Sequence, residues 1–277
     1  MYVTITKANL KQFYFVNRYV FPDYCIIEIS VDFESEAEFG AGCKFEKECS
    51  FDRDCKFGDY CQFKKKCKFG RSCVFGNSND FAAKCSFGNF CRFGDNNNVR
   101  RTSVFGECCY FGNGNYFQNS CKFAQSCYFR EANGFEGKCE FGEYNTFKML
   151  CKFGSNAYFW GKCQFDIDCS FGSNATFHTE MVFSGGKATF GKNTIVEKVG
   201  NGSGLKLVKM VFVSNLDGSC RTIQIILHTK GVLIRAGCFT GSVEQFVRKA
   251  SEERKYYYAA VIPAMAMQLE RIYSKKT

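Results

Sequence analysis

The sequence predicts an all-β solenoid with three six-residue repeats per coil, a small N-terminal cap and a C-terminal α+β domain. Phe recurs every six residues from Phe33 to Phe183, over twenty-six positions with Val99 as the one exception. Four residues after each of these positions comes a second regular position, which mostly holds a smaller residue and is called the small position here. It holds fifteen of the nineteen cysteines. One short period sustained over many units is typical of a solenoid, whose units bury their apolar side only by stacking.

Residues 1–32 precede the repeat and are predicted to form the N-terminal cap. YVTI favours a strand, and the segment from Thr6 to about Tyr14 favours a short helix with Thr6 as its N-cap. YCIIEISVDF favours an alternating strand that leads into the first coil. The end of a solenoid exposes unpaired backbone and apolar rings, so a lid is needed to prevent edge-to-edge association.

Asn-rich stretches within the repeat, such as GNSND and GDNNN, contain no insertion, because the next large residue still follows at an interval of six. Asn79, Asn97, Asn115 and Asn133 fill the small position at intervals of eighteen residues, whereas Asn145 falls on another side. A three-sided coil predicts this spacing. Parallel strands lie about 4.8 Å apart, so we expect the buried amides to hydrogen-bond to one another as a ladder.

The repeat resembles the hexapeptide repeat of left-handed parallel β-helices, with Phe in the large aliphatic position and Cys in the small one. The resemblance covers most of residues 33–190 and implies a left-handed coil of three hexads. The period of six excludes a pentapeptide-repeat solenoid. The Cys-x-Phe-Gly hexads, followed by LIRAGCF in the tail, also resemble uncharacterised repeat proteins of bacteriophages and prophages, which implies a phage-associated setting.

The segment after the repeat divides into a predicted linker over residues 191–204, which contains GNGSG, and an α+β domain over residues 205–277. LKLVKMVFV, CRTIQIILHT and GVLIRAGCF carry strand patterns. Ser242 with Gln245 predicts a capping box for a helix over VEQFVRKASEER. A second helix is predicted over YYAAVIPAMAMQLERIY, and Pro263 is expected to kink or divide it.

The nineteen cysteines are interpreted as reduced thiols. Free Cys behaves as a small buried apolar residue, and no N-terminal stretch has the basic-then-apolar form of a signal peptide. No run approaches the roughly 20 apolar residues of a membrane helix. We therefore expect a cytoplasmic location, or a virion if the chain is phage-encoded, with no membrane and no cofactor. The Cys-x5-Cys spacing lacks the knuckle geometry of zinc sites, so no metal is expected.

Catalysis is disfavoured by the histidines and by the unbroken repeat. Hexapeptide acyltransferases are similar to one another in a catalytic His and in loops that interrupt the coil to hold coenzyme A, and this repeat has no such loop. The two histidines are His178, expected at a solvated corner, and His228, in a predicted strand. A zinc carbonic anhydrase of this architecture needs three histidine ligands. GNGSG precedes a strand pattern and not the helix of a phosphate cradle.

Two surfaces are candidate interaction sites. Tyr110 and Tyr128 lie eighteen residues apart and are expected to stack on one outer face, with Trp160 at a corner. Exposed aromatic groups often anchor interfaces, although Tyr packed flat on a β wall explains the pattern equally well. Net charge is +10, and residues 191–277 carry fourteen basic and six acidic residues. Candidate contacts to a polyanion there are Arg235, Arg248, Lys249, Arg254 and Lys255. A solvated helix face of mixed charge is the alternative.

These observations predict a non-enzymatic rigid scaffold or binding protein with a protein partner and a phage-associated role. Hexapeptide solenoids commonly pack side by side as trimers, so a homo-oligomer is expected. The main alternative is binding of nucleic acid or another polyanion through the basic C-terminal domain, and a hexapeptide-type acyltransferase is the least favoured.

Overall fold

The computed structural model describes residues 2–161, 163–178, 181–183, 188–190, 194–199, 202–214, 222–237 and 239–274. Short strands recur along the chain, and those of the solenoid pair in parallel with the strand one coil later, except Tyr14–Phe15, which pairs antiparallel with Arg18–Phe21. Three sheets result, named here A, B and C. The chain is thus a β-solenoid of about 10 turns. The solenoid and the small C-terminal region with an antiparallel sheet and two helices agree with the fold class that the sequence predicts.

The strands of the three sheets, within the described residues, have the following bounds. Sheet A contains Val3–Ile5, Cys25–Ile27, Lys44–Phe45, Gln62–Phe63, Asp80–Phe81, Asn98–Val99, Tyr116–Phe117, Gly134–Phe135, Lys152–Phe153, Ser170–Phe171 and Thr189–Phe190. Sheet B contains Tyr14–Phe15, Arg18–Phe21, Ala37–Phe39, Lys56–Phe57, Val74–Phe75, Arg92–Phe93, Tyr110–Phe111, Tyr128–Phe129, Thr146–Phe147, Gln164–Phe165 and Val182–Phe183. Sheet C contains Asp32–Phe33, Ser50–Phe51, Lys68–Phe69, Ser86–Phe87, Val104–Phe105, Lys122–Phe123, Glu140–Phe141, Tyr158–Phe159, Thr176–Phe177, Ile195–Val199, Gly202–Ser214, Thr222–His228, Gly231–Ala236 and Phe239–Ser242.

Val3 pairs with Cys25, twenty-two residues later, and from Arg18–Phe21 onward the register between successive coils is eighteen residues. Phe63, for example, pairs with Phe45 on one side and with Phe81 on the other. Near the end of the solenoid the register becomes nineteen, since Phe171 pairs with Phe190. This extra residue matches the phase shift that SGGKATF shows in the sequence.

The interior is filled by rings in two contact geometries. Phe57 stacks on Phe75 of the next coil, with centroids 5.0 Å apart and 6° between the planes. Phe57 also meets Phe63 of its own coil edge to face, at 5.1 Å and 83°. Both arrangements suit the aromatic quadrupole, and such pairs contribute about 0.5–1.5 kcal/mol beyond their burial. Val99 takes one ring position and is fully buried.

The corners between strands depend on left-handed backbone and on glycine. The residue before the small position has positive φ, as at Lys66 (63°), and its N–H donates to the corner of the next coil, at Ala83 O, 3.2 Å away. Gly94 follows an inward Phe, and a Cβ there would lie 2.9 Å from the carbonyl carbon of Gly76 and 2.3 Å from Asn77 Oδ1. The Phe-Gly dipeptide therefore permits coils to approach closely.

The parallel stack extends into the segment predicted as a cap. Val3–Ile5 pairs in parallel with Cys25–Ile27, and Arg18–Phe21 pairs in parallel with Ala37–Phe39. YCIIEISVDF forms two strands and not one, because one side of a coil is only as long as one repeat.

The short helix predicted from Thr6 is a 3-10 helix, Leu10–Phe13, that begins later than expected. Asn9, at the N-cap position, makes no side-chain cap hydrogen bond to the helix. Its amide oxygen accepts instead from the Thr6 N–H at 2.8 Å, which closes the turn before the helix. Thr6 is therefore not the N-cap.

The C-terminal antiparallel sheet continues sheet C. Thr176–Phe177 pairs in parallel with the start of Ile195–Val199, which then pairs antiparallel with Gly202–Ser214. The described residues of the segment 191–204, predicted as a linker, therefore include strand, while Gly200 and Asn201 lie outside the described residues. Alternate residues of the sheet face opposite ways. Ile226 packs with the solenoid core, and Ile225 packs with the helices.

Helix α1 is Val243–Glu252, and its capping box is confirmed, because Ser242 accepts from the Gln245 N–H while the Gln245 side chain accepts from the Ser242 N–H. Helix α2 is Tyr256–Ser274 and runs unbroken through Pro263, so the expected division does not occur. Ile262 is buried against the sheet, and this packing offsets the hydrogen bond that proline removes. Neither helix, in the part of the chain that the structure describes, has the length and apolarity needed to span a bilayer.

Candidate interaction surfaces

The buried Asn side chains form a ladder with the backbone. Asn79 Oδ1 accepts from the Cys61 N–H at 2.7 Å, Asn97 Oδ1 from the Asn79 N–H at 2.9 Å, and Asn115 Oδ1 from the Asn97 N–H at 2.8 Å. The expected amide-to-amide ladder is therefore wrong in its partners. The small position lies between a corner and a strand, so its N–H makes no hydrogen bond within the sheet. Where the next coil has Asn at this position, the N–H donates to the side-chain oxygen of that Asn.

The small positions otherwise hold columns of free, buried thiols. The seventeen cysteines among the described residues are unpaired by disulfides, and all of them except Cys108 are buried. Cys91 Sγ lies 3.3 Å from the Gly70 carbonyl oxygen, to which it donates. Burial raises the pKa of Cys49 and of Cys163 to about 12. Cys49 and Cys163 are therefore protonated and unreactive at neutral pH.

The two histidines occupy separate surroundings. His178 is half-buried and packs against Trp160, with ring centroids 5.9 Å apart. His228 Nδ1 accepts from the Lys230 N–H at 3.1 Å, and burial together with the Lys230 charge lowers the pKa of His228. Within the described ranges, no three His, Cys, Asp or Glu side chains converge on a point that could hold a metal ion.

The C-terminal basic residues predicted as a polyanion surface are largely engaged within the protein. Arg235 donates to the Met181 carbonyl oxygen and thereby joins the sheet to the solenoid. Lys249 Nζ lies 3.0 Å from Glu253, which also pairs with Lys255. The two lysines, Lys255 first, lower the pKa of Glu253 to about 2.

Arg248 and Arg254 are exposed and have no ion pair among the described residues. Lys249 and Lys255 also border a cleft of about 320 Å³ whose floor is formed by apolar residues such as Phe246 and Tyr258. The basic set predicted from the sequence is thus split, with only part of it free to contact a ligand.

The predicted aromatic pair on the rod is confirmed. Tyr110 and Tyr128 occupy paired outward positions of sheet B, and their rings are parallel within 4°, with centroids 5.5 Å apart. Trp160 lies elsewhere, directly after a strand of sheet C, and packs on Tyr158 at 4.5 Å. Trp160 is 49% exposed.

The tyrosine pair borders a groove of about 1080 Å³ that sequence analysis missed. The groove is lined by Arg92, one coil before Tyr110, and by Phe90 and Cys108 from successive corners. The Arg71 guanidinium lies 4.6 Å from the centroid of the Phe90 ring. The eighteen-residue spacing aligns Phe90 with Cys108 and Arg92 with Tyr110, but the approach of Arg71 to Phe90 depends on how the corners pack.

Comparisons with protein-family models, with curated proteins and with solved structures found no match for this chain. Function is therefore inferred from the two surfaces described above and from the solenoid that positions them. The groove on sheet B is the larger of these sites, and the cleft beside α1 is the smaller.

Proposed function

We propose that the protein is a non-enzymatic rigid rod that holds binding surfaces at fixed positions, wound left-handed with three hexads per coil. The observation that supports this is the unbroken parallel stack from Val3–Ile5 to Thr189–Phe190. Backbone bonds recur from coil to coil, as in Gly76 N–H to Phe57 O and Gly94 N–H to Phe75 O, both 2.9 Å. A close-packed interior transmits strain and resists bending.

The proposed rod includes the N-terminal strands and the C-terminal sheet. About ten coils at roughly 4.8 Å each give a length on the order of 50 Å. Met210 and Ile226 extend the solenoid core into the C-terminal sheet. The surfaces on the wall and beside α1 are therefore expected to move as one body.

Small-angle X-ray scattering of the full chain tests the rod. We expect the profile of an elongated, rigid particle that does not change with temperature below unfolding. A compact or flexible particle would contradict the proposal. Mass photometry of the same sample measures the proposed homo-oligomer and shows whether it is a trimer.

The phage-associated role and the cytoplasmic or virion location belong to the same proposal. They depend on the resemblance of the Cys-x-Phe-Gly hexads and on the buried thiols, since reducing compartments preserve free Cys. Mass spectrometry of purified virions against the infected-cell cytosol would distinguish a virion component from an intracellular factor that contacts a host protein.

The second candidate is polyanion binding through the C-terminal domain. Exposed Arg248 and Arg254 favour it, while the pairing of Lys249 and Lys255 with Glu253 weakens it. Substitution of both arginines by Gln is expected to reduce the affinity for heparin and its salt dependence if this surface is the site.

A further inference from the structure

We propose that the groove on sheet B binds a single-stranded nucleic acid, with bases stacked against its aromatic residues and phosphates held by Arg71 and Arg92. This inference depends on the proposed function as a binding rod, because the rigid wall fixes the spacing of the rings. The site is separate from the C-terminal basic domain.

The groove exposes aromatic side chains that Arg71 and the tyrosine stack cover only in part. Phe90 is 42% exposed and Tyr110 37% exposed, and Val74 beside them is 40% exposed. Phe90 has φ of 63°, a conformation that is unfavourable for a bulky residue, so its outward ring is not explained by backbone preference. Stacking platforms of this kind bind bases with little sequence preference, since every base has a π-face.

The tyrosine pair is preorganised by the strand register. Tyr110 and Tyr128 project from adjacent strands, so their ring stack follows the axis of the rod. Arg92 pairs with Tyr110 on the next strand, and Val74 pairs with Arg92. A strand of nucleic acid that runs along the axis would meet rings and guanidinium groups at the interval of the coils.

The charge of this wall is complementary to phosphate. Lys56 pairs with Glu38 at 2.8 Å, and Lys148 pairs with Asp166 at 3.2 Å. Between these pairs, Arg71 and Arg92 are exposed, line the groove and have no ion pair within the described residues. Among the residues that the structure describes, none with an acidic side chain lines the groove. An anionic ligand therefore meets uncompensated positive charge.

The combination of rings and arginines favours a single strand over other anions. Bases in a duplex are already stacked on one another, so their faces are closed to Tyr and Phe. Acidic side chains of a peptide lack an aromatic face that could stack on the rings. Both ligands are therefore competitors that test the proposal.

Fluorescence anisotropy with fluorescein-labelled dT12 measures the binding. Combined Tyr110→Ala and Tyr128→Ala substitution is expected to weaken affinity at least about fivefold. Tyr116→Ala is the matched control, since Tyr116 occupies the same register position on sheet A and is 43% exposed. No binding of dT12 at low salt, or an equal loss in the control, would overturn the proposal.

The salt dependence tests the arginines. Combined Arg71→Gln and Arg92→Gln substitution is expected to reduce the slope of log affinity against log salt by about 1.4, as the loss of two phosphate contacts predicts. Arg101→Gln is the control, because Arg101 occupies the corner position of Arg71 after another sheet. Competition by oligoglutamate or by duplex as effective as that by unlabelled dT12 would contradict a single-strand site.

Cys108 supplies a reporter in the unmodified protein, since it is exposed and lines the groove. We expect dT12 to slow the alkylation of Cys108, measured by peptide mass spectrometry. In the variant that combines Tyr110→Ala and Tyr128→Ala, dT12 should no longer slow it. Unchanged alkylation at saturating dT12 would place the ligand elsewhere. If scattering still shows a rod, that failure concerns the groove and not the proposed function. A homo-oligomer that the Tyr substitutions dissociate would make the groove a subunit interface and overturn the inference.

Discussion

The hydrogen bonds that a single residue makes in this protein depend on the residues one coil away. Asp95 lies at a corner of the coil, and its Oδ1 accepts from the Asn113 N–H at 2.6 Å. Asn77 makes the same contact to the Asp95 N–H at 2.7 Å, and Asp59 to the Asn77 N–H at 2.6 Å. A second ladder therefore follows the outside of the rod, beside the buried one.

Asp95→Ala is expected to destabilise the protein by about 0.5–1.5 kcal/mol, because the Asn113 N–H loses its acceptor. Asp95→Asn is the matched control and should be close to neutral, since Asn77 shows that an amide oxygen fits this position. Urea denaturation followed by circular dichroism measures both. Equal stability of the two variants would show that the ladder contributes nothing.

Phe93→Ala is expected to cost about 3–5 kcal/mol, because removal of a buried ring leaves a cavity between coils. Phe93 is 2% exposed and stacks on Phe75 and Phe111 at 4.7 and 4.8 Å. Lys68→Ala, at an exposed outward position, should change stability by less than about 0.5 kcal/mol. The same urea series compares them, and similar effects would contradict the inward packing of Phe93.

Each strand of the solenoid is one side of a coil and is too short to be stable alone. A two-residue strand pairs with the strands of the coils before and after it. The backbone N–H just before the strand needs a separate acceptor, which a polar side chain at the small position of the next coil can provide. Asn serves this purpose at five positions and Ser103 at another, where its Oγ accepts from the Cys85 N–H at 3.3 Å. The element is therefore stabilised by side chains that belong to the next coil.

Asn97→Ala is expected to cost about 1–3 kcal/mol, since the buried Asn79 N–H is left without an acceptor. Asn97 Oδ1 receives this bond at 2.9 Å, and Asn97 Nδ2 donates to Gly94 O at 3.1 Å. Amide hydrogen exchange is the direct measurement and should show faster exchange at Asn79. Asn97→Cys provides the comparison, because Cys fills the same column at Cys61, and it should retain more protection than Ala.

The whole molecule carries columns of thiols whose neutral form is favoured by burial. Burial is the largest cause that raises the pKa of Cys49 and Cys85 to about 12 and that of Cys67 to about 11, from an ordinary value of 9.0. The unfolded chain therefore releases these protons at lower pH than the folded chain. This contribution to stability is complete below about pH 9 and is lost as pH rises toward 12.

We expect the free energy of unfolding to fall between about pH 9 and 11, with a shallower fall in a variant that combines Cys49→Ala, Cys67→Ala and Cys85→Ala. Ala is compatible with this column, since Ala157 and Ala175 already fill it. Cys108→Ala removes an exposed thiol and should follow the wild type. Parallel curves for all three proteins would show that the buried thiols do not govern alkaline stability.

The sequence by itself determined the solenoid, because the six-residue period of Phe and the eighteen-residue recurrence of Asn are direct consequences of stacking in register. It also determined the strands and the capping box at Ser242 in the C-terminal region, since these are local patterns. The stack of Tyr110 on Tyr128 followed from the same eighteen-residue spacing.

Only the tertiary structure decided which groups share a surface and which bonds they make. The grouping of Arg71, Phe90 and Cys108 depends on corners from different coils. The engagement of Arg235 by Met181 depends on the C-terminal sheet closing the end of the solenoid. Periodicity states which residues are stacked, but hydrogen-bond partners and grooves depend on distances between separate parts of the chain, and those are set only when the coils pack.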